Sequence, residues 1–383
     1  MPTVLHLAHV GIPQDARILR ELDALSESPE LTLHAYGVLD DVSPDLNPPF
    51  RLRQFDVRSA RASRIPRPFR YTMVLVELNA RFLMSMWKLR PDVVHCHDTM
   101  VLPSGALAKV LLGSMVIYDA HELESDKAGQ GRVLSKATLL IERACWRHID
   151  RLITVSPAIT AWYTEHLGPK PTACILNSPK VSDTDSSIGS HGVGVRDRFG
   201  IGPDEYLFVY VGGLEPGRGI DAILRAFGGA DGDVHVAFIG WGSMQKQIEL
   251  ASQHHANIHH SPRVPHDQLV NFIRDATGGF CLIEDVSLSD HYCLPNKLFE
   301  YAFAGLPVIA SRLPEIERVV GEYRLGVCSD LDEISILHAI HACATWPRDL
   351  PIERLAGLSW ENQAQDLRYF YTDLLGSLTR RDA

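Results

Sequence analysis

Short apolar runs alternate along the chain with stretches in which apolar residues return every three or four positions. Residues 3–10 (Thr-Val-Leu-His-Leu-Ala-His-Val) predict a strand that Gly11 and Pro13 break. Residues 15–26 place Ile18, Leu22 and Leu25 on one helical face, and residues 31–38 predict a second strand. The same alternation continues. Strands are expected at 92–98, 115–120, 151–156 and 173–177, with helices near 103–112, 133–149 and after Pro157. Residues 182–195 are rich in Ser, Asp and Gly and predict a linker. Strand and helix then alternate again: strands at 206–213, 234–240, 258–264 and 279–284, and helices from 220, at 332–343 and at 361–377. The fold class expected is α/β, with two Rossmann-like domains at 1–181 and 205–360 joined by a linker at 182–204. A cleft between such halves is where a ligand is expected.

One stretch, 287–311, carries the most chemistry. It predicts loop, helix, tight turn and buried strand. Pro295 or Asn296 begins the helix, where a proline's missing N–H costs nothing. Gly305 ends it and Pro307 prevents its resumption. Val308, Ile309 and Ala310 then read as a strand buried on both faces. Lys297 and Glu300 are three apart and share a face. A phosphate is well held at such a helix N-terminus by backbone amides and the helix dipole, and Glu300, one turn in, is placed to accept from ribose hydroxyls. The plain alternative is a sheet-covering helix with a surface Lys and Glu. The loop 214–219 (Leu-Glu-Pro-Gly-Arg-Gly) between a strand ending in Gly212-Gly213 and a helix also suits a diphosphate. Backbone approaches closely there, and Arg218 neutralises charge. Gly11 sits at the first crossover without a GxGxxG pattern, which disfavours a classical dinucleotide site.

Composition narrows the field. The net charge of −10 argues against a general nucleic-acid binder. Seven cysteines without a CxxC pair suit a reducing cytoplasm. No signal peptide and no transmembrane run is expected. Residues 51–90 stand apart: ten Arg and Lys face only Asp56 and Glu77. That segment reads as a surface for anionic membrane lipid or a negatively charged acceptor or, alternatively, as a solvated basic face. His95, His97, Asp98, Asp119, His121 and Glu122 are all expected at the carboxyl edge of the first sheet, where ligands sit. Their spacing does not make a convincing metal site, and no metal is expected.

Asp92-Val-Val-His-Cys-His-Asp98, Tyr118-Asp-Ala-His-Glu122, Tyr210-Val-Gly-Gly-Leu-Glu-Pro-Gly-Arg-Gly219 and Pro295-Asn-Lys-Leu-Phe-Glu-Tyr-Ala-Phe-Ala-Gly-Leu-Pro-Val-Ile309, taken in order, resemble the retaining glycosyltransferases of family 4. Phe238-Ile-Gly-Trp-Gly242 and Ser359-Trp-Glu361 fit the same pattern. The resemblance implies a GT-B architecture and a nucleotide-sugar donor, UDP- or GDP-linked, as substrate, with no cofactor. It implies catalytic roles for His121, Arg218 and Lys297. Donor contacts fall to Gly11, Gly213, Gly242, Val264, Asp290, His291, Tyr292, Asn296, Lys297 and Glu300. Acceptor contacts fall to Asp15, Arg17, Asp98 and Glu122. The acceptor expected is a glycan, a lipid-linked molecule or a small molecule. The final helix, 361–383, is expected to cross back to the first domain. Two departures matter. The first acid of the family's paired-glutamate motif is Tyr292 here, and the Arg usual after the first glycine of the diphosphate loop is Gly213. Asp290 is the candidate substitute for the missing acid. The rival readings are a nucleotide-sugar epimerase or hydrolase of the same architecture, and a non-catalytic partner.

Overall fold

The computed structural model describes residues 1–39, 48–61, 66–180, 194–229, 232–347 and 352–379. They form two units, Met1–Ile175 with Ala364–Ala383, and Leu176–Gln363.

The first unit is built on seven strands: β1 (Thr3–Leu7), β2 (Thr32–Val38), β3 (Arg51–Phe55), β4 (Val93–His97), β5 (Met115–Ala120), β6 (Arg151–Thr154) and β7 (Thr172–Cys174). Their order is β3-β2-β1-β4-β5-β6-β7, and every pair is parallel. Central strands such as β4 and β5 are buried at every position, which explains their continuous apolar and small-polar character. Strand β3 lies inside the basic stretch and was not expected. Arg51-Leu-Arg-Gln-Phe alternates with period two, and its arginines face solvent from the sheet edge. Residues 62–65 of that stretch lie outside the described residues.

The second unit has β8 (Tyr206–Gly213), β9 (Val234–Trp241), β10 (Ile258–Ser261), β11 (Gly278–Cys281), β12 (Val308–Ser311) and β13 (Gly326–Ser329), in the order β10-β9-β8-β11-β12-β13. The helix Pro314–Tyr323 and strand β13 were not foreseen. The expected linker at 182–204 needs correcting. Residues 182–193 lie outside the described residues, whereas Val195–Phe199 is a helix of the second unit. Val195 and Ile201 enter that unit's core, and the Arg196 guanidinium donates to the carbonyls of Asp275, Gly202 and Glu205. The Ser/Gly-rich composition ends just before this apolar anchor.

The last helix, Trp360–Thr379, starts in the second unit and continues in the first, where Tyr371 and Leu374 are buried. In each sheet the winding reverses once, between β1 and β4 and between β8 and β11. Crevices for ligands open beyond the carboxyl ends of strands at such reversals.

Candidate active site

In the second unit, β8 pairs with β9 along its full length but with β11 only at Phe208 and Val209. Beyond that point the two central strands part. The Tyr301 hydroxyl fills the gap: it accepts from the Val211 amide at 2.9 Å and donates to the Phe280 carbonyl at 3.1 Å. Its ring fits because Gly279 has no side chain; a Cβ there would lie 2.4 Å from the ring. At the rim, Gly240 has φ 154°, and a Cβ would stand 1.9 Å from the Gly212 carbonyl. The two glycine turns are therefore pressed together, which brings Gly213 beside Trp241 and Gly242.

Charged groups gather over this parting. Arg218 Nη1 is 3.3 Å from Asp290 Oδ1. Asp290 is buried and accepts from the Ser287 hydroxyl at 2.7 Å, so the guanidinium is held by an anchored carboxylate. Glu215 fastens the same loop by accepting from the Ser243 amide and hydroxyl. Lys297 lies in the first turn of the helix Asn296–Phe303, its ammonium 3.7 Å from the centroid of the Tyr210 ring, a cation–π contact. Pro295 precedes this helix, and no side chain caps it. Arg218, Lys297 and Glu300 all act on the Cys281 thiol at the end of β11. Burial pushes that thiol up to about 12, and the two cations pull against it. A Cβ on Gly212 would lie 3.9 Å from Lys297 Cε, so Lys297 rests against the glycine turn that leads into the Arg218 loop. Glu300 is buried, Asn296 is exposed, and Val264 packs partly against the core. His291 turns to Asp285 at 2.9 Å, with Tyr292 edge-on to its ring. Sequence reading missed Tyr210, Tyr301 and Glu215. The aromatic three residues before Gly213 and the one after Glu300 were the available signals.

The first unit has a separate polar cluster under its own reversal. His121 Nε2 lies 3.0 Å from Asp119 Oδ2 and 3.1 Å from His97 Nδ1. Burial alone would lower the His121 pKa, but Asp98 and Asp119 more than reverse this, to about 10. His121 is thus an imidazolium at neutral pH. Burial drives His97 down to about 3 and His6 well below its ordinary value, and lowers His95 as well. A chain of hydrogen bonds runs inward from His121 through His97 and His6, whose ring nitrogens are 2.9 Å apart. It ends at the Tyr371 hydroxyl, 2.6 Å from His95 Nδ1. Groups with enough donors for a metal exist, His6-Glu21-His95-His97 and His97-Asp119-His121. The rings of His6, His95 and His97 are stacked within 20–29° of parallel. In the structure these side chains are engaged with one another in the hydrogen-bonded ladder.

Asp98 adopts φ 66°, ψ 167°, a region nearly exclusive to glycine that costs about 1–3 kcal/mol and recurs at functional sites. The turn carries its carboxylate out of the ladder to lie 3.7 Å from both His9 and His121.

The other three acceptor candidates differ in accessibility. Arg17 is not available to a ligand. It is buried and donates to Asp119 at 3.0 Å and to the Ile175 carbonyl at 2.9 Å, with Glu21 at 3.1 Å. On the helix Ala16–Ser26 it lies among the buried residues. Asp15 caps that helix, accepting from the Ile18 amide, and also lines a pocket of about 420 Å³ with His9, Gly11 and Gln14. Glu122 is exposed and paired with Lys127 at 3.1 Å.

Two sequence families match the chain in succession: a glycosyl transferase 4-like domain over residues 16–178, and glycosyl transferases group 1 over residues 195–338. Over 139 residues, 35% of this chain, the sequence is 27% identical to a D-inositol 3-phosphate glycosyltransferase from Geodermatophilus obscurus, and the match spans 31% of that relative's length. Among solved structures, the sucrose-phosphate synthase of Thermosynechococcus elongatus is similar in fold at a TM-score of 0.79 and 16% identity, covering 98% of this chain and 100% of that one. The Anabaena protein HepE, solved with UDP-glucose, is similar at 0.72 and 14%, covering 97% and 99%. With both families matched in order and one GT-B fold shared over nearly the whole length, the chain belongs to the family-4-like glycosyltransferases of GT-B fold.

Proposed function

We propose that the protein transfers a sugar from a nucleoside diphosphate, UDP or GDP, to an acceptor hydroxyl with retention, in the building of a glycan or glycoconjugate. The observation that carries this reading is the setting of two cations at the parting of β8 and β11: Arg218 held by the buried Asp290, and Lys297 over the Tyr210 ring and beside Gly212. Two cations and an uncapped helix N-terminus suit a diphosphate, and a buried carboxylate one turn away suits ribose hydroxyls. The bond that breaks joins the anomeric carbon to the donor phosphate, and the new bond joins that carbon to the acceptor oxygen. The acceptor proton passes to the departing phosphate oxygen. Arg218 and Lys297 stabilise the charge that grows there. Asp290 aims Arg218, and the Tyr210 ring holds Lys297. Asp290 thereby takes a positioning role in place of a second donor acid. His121 keeps the role the resemblance implies, contact with the donor sugar. Asp15, Asp98 and Glu122 remain the acceptor candidates of the first unit, and Gly11 keeps the donor contact that the resemblance implies. With two cations on the diphosphate, the reaction is expected to run without a divalent ion. We assign it to the cytoplasm, in keeping with seven cysteines of unpaired spacing.

Thermal shift with nucleoside diphosphates and their sugars, with and without EDTA, tests the reading. One base should stabilise the protein, indifferent to EDTA; ligand at a hundred times its Kd adds about 2.7 kcal/mol. Tyr292 and Gly213 favour a second reading, a protein of this fold that binds or hydrolyses the donor without an acceptor. Free sugar released without acceptor identifies the hydrolase. No shift at millimolar nucleotide removes the donor site.

A further inference from the structure

The helix Arg67–Leu89 exposes an apolar stripe along its whole length. Phe69, Met73, Val76, Ala80, Met84 and Trp87 are all exposed. Their spacing confines them to about 80° of arc at 3.6 residues per turn. The side chains at the ends of the stripe, Phe69 and Trp87, are 68% and 52% exposed. This helix packs beside Leu102–Leu112, which in turn packs beside Arg132–Trp146. Both neighbours extend the apolar surface: Val110 and Leu111 on one, Val133 and Leu140 on the other are exposed. Monomeric soluble proteins rarely leave so continuous an apolar face open.

The charge on this face has one sign. The three helices contain two acids, Glu77 and Glu142. Glu77 is held by Arg81 and the Arg58 and Ser59 amides, and Glu142 is buried against Tyr118 and Tyr163. The exposed charges are therefore basic. Arg132, Lys136, Arg143 and the following Arg147 recur at four, seven and four residues, forming a second stripe beside Leu140. Lys88 and Arg90 flank Trp87, the Arg90 guanidinium 4.7 Å from its ring centroid. Arg53, Lys88, Trp87 and Leu111 line a groove of about 730 Å³ at this end. An acidic protein of net charge −10 thus carries one basic and apolar face.

We infer that this three-helix face docks on an anionic phospholipid bilayer. The aromatic and aliphatic side chains would enter the headgroup region, and the basic stripes would meet lipid phosphates. Charge selects this occupant over a second copy of the chain, since a self-complementary contact would bring like charges together. The structure enlarges the expectation drawn from residues 51–90: the helix Arg132–Trp146 supplies a basic stripe that the sequence segment did not include, and Arg81 is withdrawn into a pair with Glu77. The inference stands independently of the transferase reading, because binding to vesicles needs no donor.

The test is co-sedimentation of the full chain with vesicles of phosphatidylcholine alone and of phosphatidylcholine with 30% phosphatidylglycerol (roughly a physiological anionic fraction). Binding to the anionic vesicles is expected and should fall steeply with added salt as screening shortens. Each basic residue near such a surface is worth about 1 kcal/mol, or about fivefold. The variant Lys136→Gln/Arg143→Gln should therefore lose about 25-fold in partitioning. Phe69→Ser/Val76→Ser/Trp87→Ser should lose at least about tenfold, from the buried-area value of apolar side chains. All five positions are exposed, so unfolding midpoints should stay put. Equal binding to neutral vesicles, or no binding to either, overturns the inference. So does a dimer in size exclusion that the apolar variant splits, which would make a second copy the occupant.

Discussion

Replacing Arg17 with Met separates two accounts of one residue. The sequence pattern makes Arg17 an acceptor ligand, whereas the structure makes it the counterion of a buried cluster. Its guanidinium contacts Asp119 at 3.0 and 3.4 Å, Glu21 at 3.1 Å and the Ile175 carbonyl at 2.9 Å. Burial would raise the Asp119 pKa, but Arg17 first and then His121 hold it well below the usual carboxylate range. Met fills a similar volume and supplies no charge. The loss leaves a buried carboxylate with one cation fewer and a buried carbonyl without its donor. Breaking such a pair costs about 3–5 kcal/mol. For a unit of this size each kcal/mol lowers the midpoint by about 2–4 °C, so a fall of roughly 6–20 °C is expected. Asp119→Asn in the same chain removes the stranded charge and should recover about 1 kcal/mol or more of that loss. Urea and thermal unfolding followed by circular dichroism measure the loss. An unchanged midpoint with a raised KM for acceptor would refute the buried-counterion account and restore the acceptor role.

Arg218→Ala should lower turnover by about 10²–10³-fold with little change in unfolding midpoint, as for removal of one transition-state donor; full turnover in the folded variant removes Arg218 from the mechanism. Asp290→Asn, which keeps shape and drops the anchoring charge, should lower kcat more than it raises KM, and equal effects on both would point to direct donor contact. Tyr210→Leu removes the ring under the Lys297 ammonium and should weaken nucleotide binding by about 0.5–2 kcal/mol, read as a rise in Kd by titration; an unchanged Kd would mean the contact is incidental. His121 has a folded pKa of about 10 against an ordinary 6.5. Its stabilising effect is therefore fully present below about pH 6.5 and lost as pH rises through about 10. The stability advantage of the natural chain over His121→Asn should shrink between pH 8 and 10.5, and an advantage that grows there contradicts the imidazolium.

The alternation of buried strand and amphipathic helix was legible because each element carries its own period, and local periods do not depend on distant partners. The same holds for the helix after Pro295, whose start and stop residues act within a turn of themselves. The glycine turn before Arg218 and the helix start before Lys297 were legible for that reason too. What the chain order could not convey was which side chains meet. Asp290 stood as a substitute acid until the fold laid it against Arg218, 72 residues away. Tyr371 joins a ladder begun by His6, 365 residues earlier. The resemblance makes Arg17 an acceptor contact, yet it is buried, because helix rotation, not sequence position, decides burial. The basic segment was visible as a charge count, but its division into a paired Arg81, an edge strand and an exposed stripe needed the packing of three helices. Local propensity and period are written along the chain; the pairing of charges and the face left uncovered are properties of contacts between residues far apart in it, and only the tertiary structure decides those.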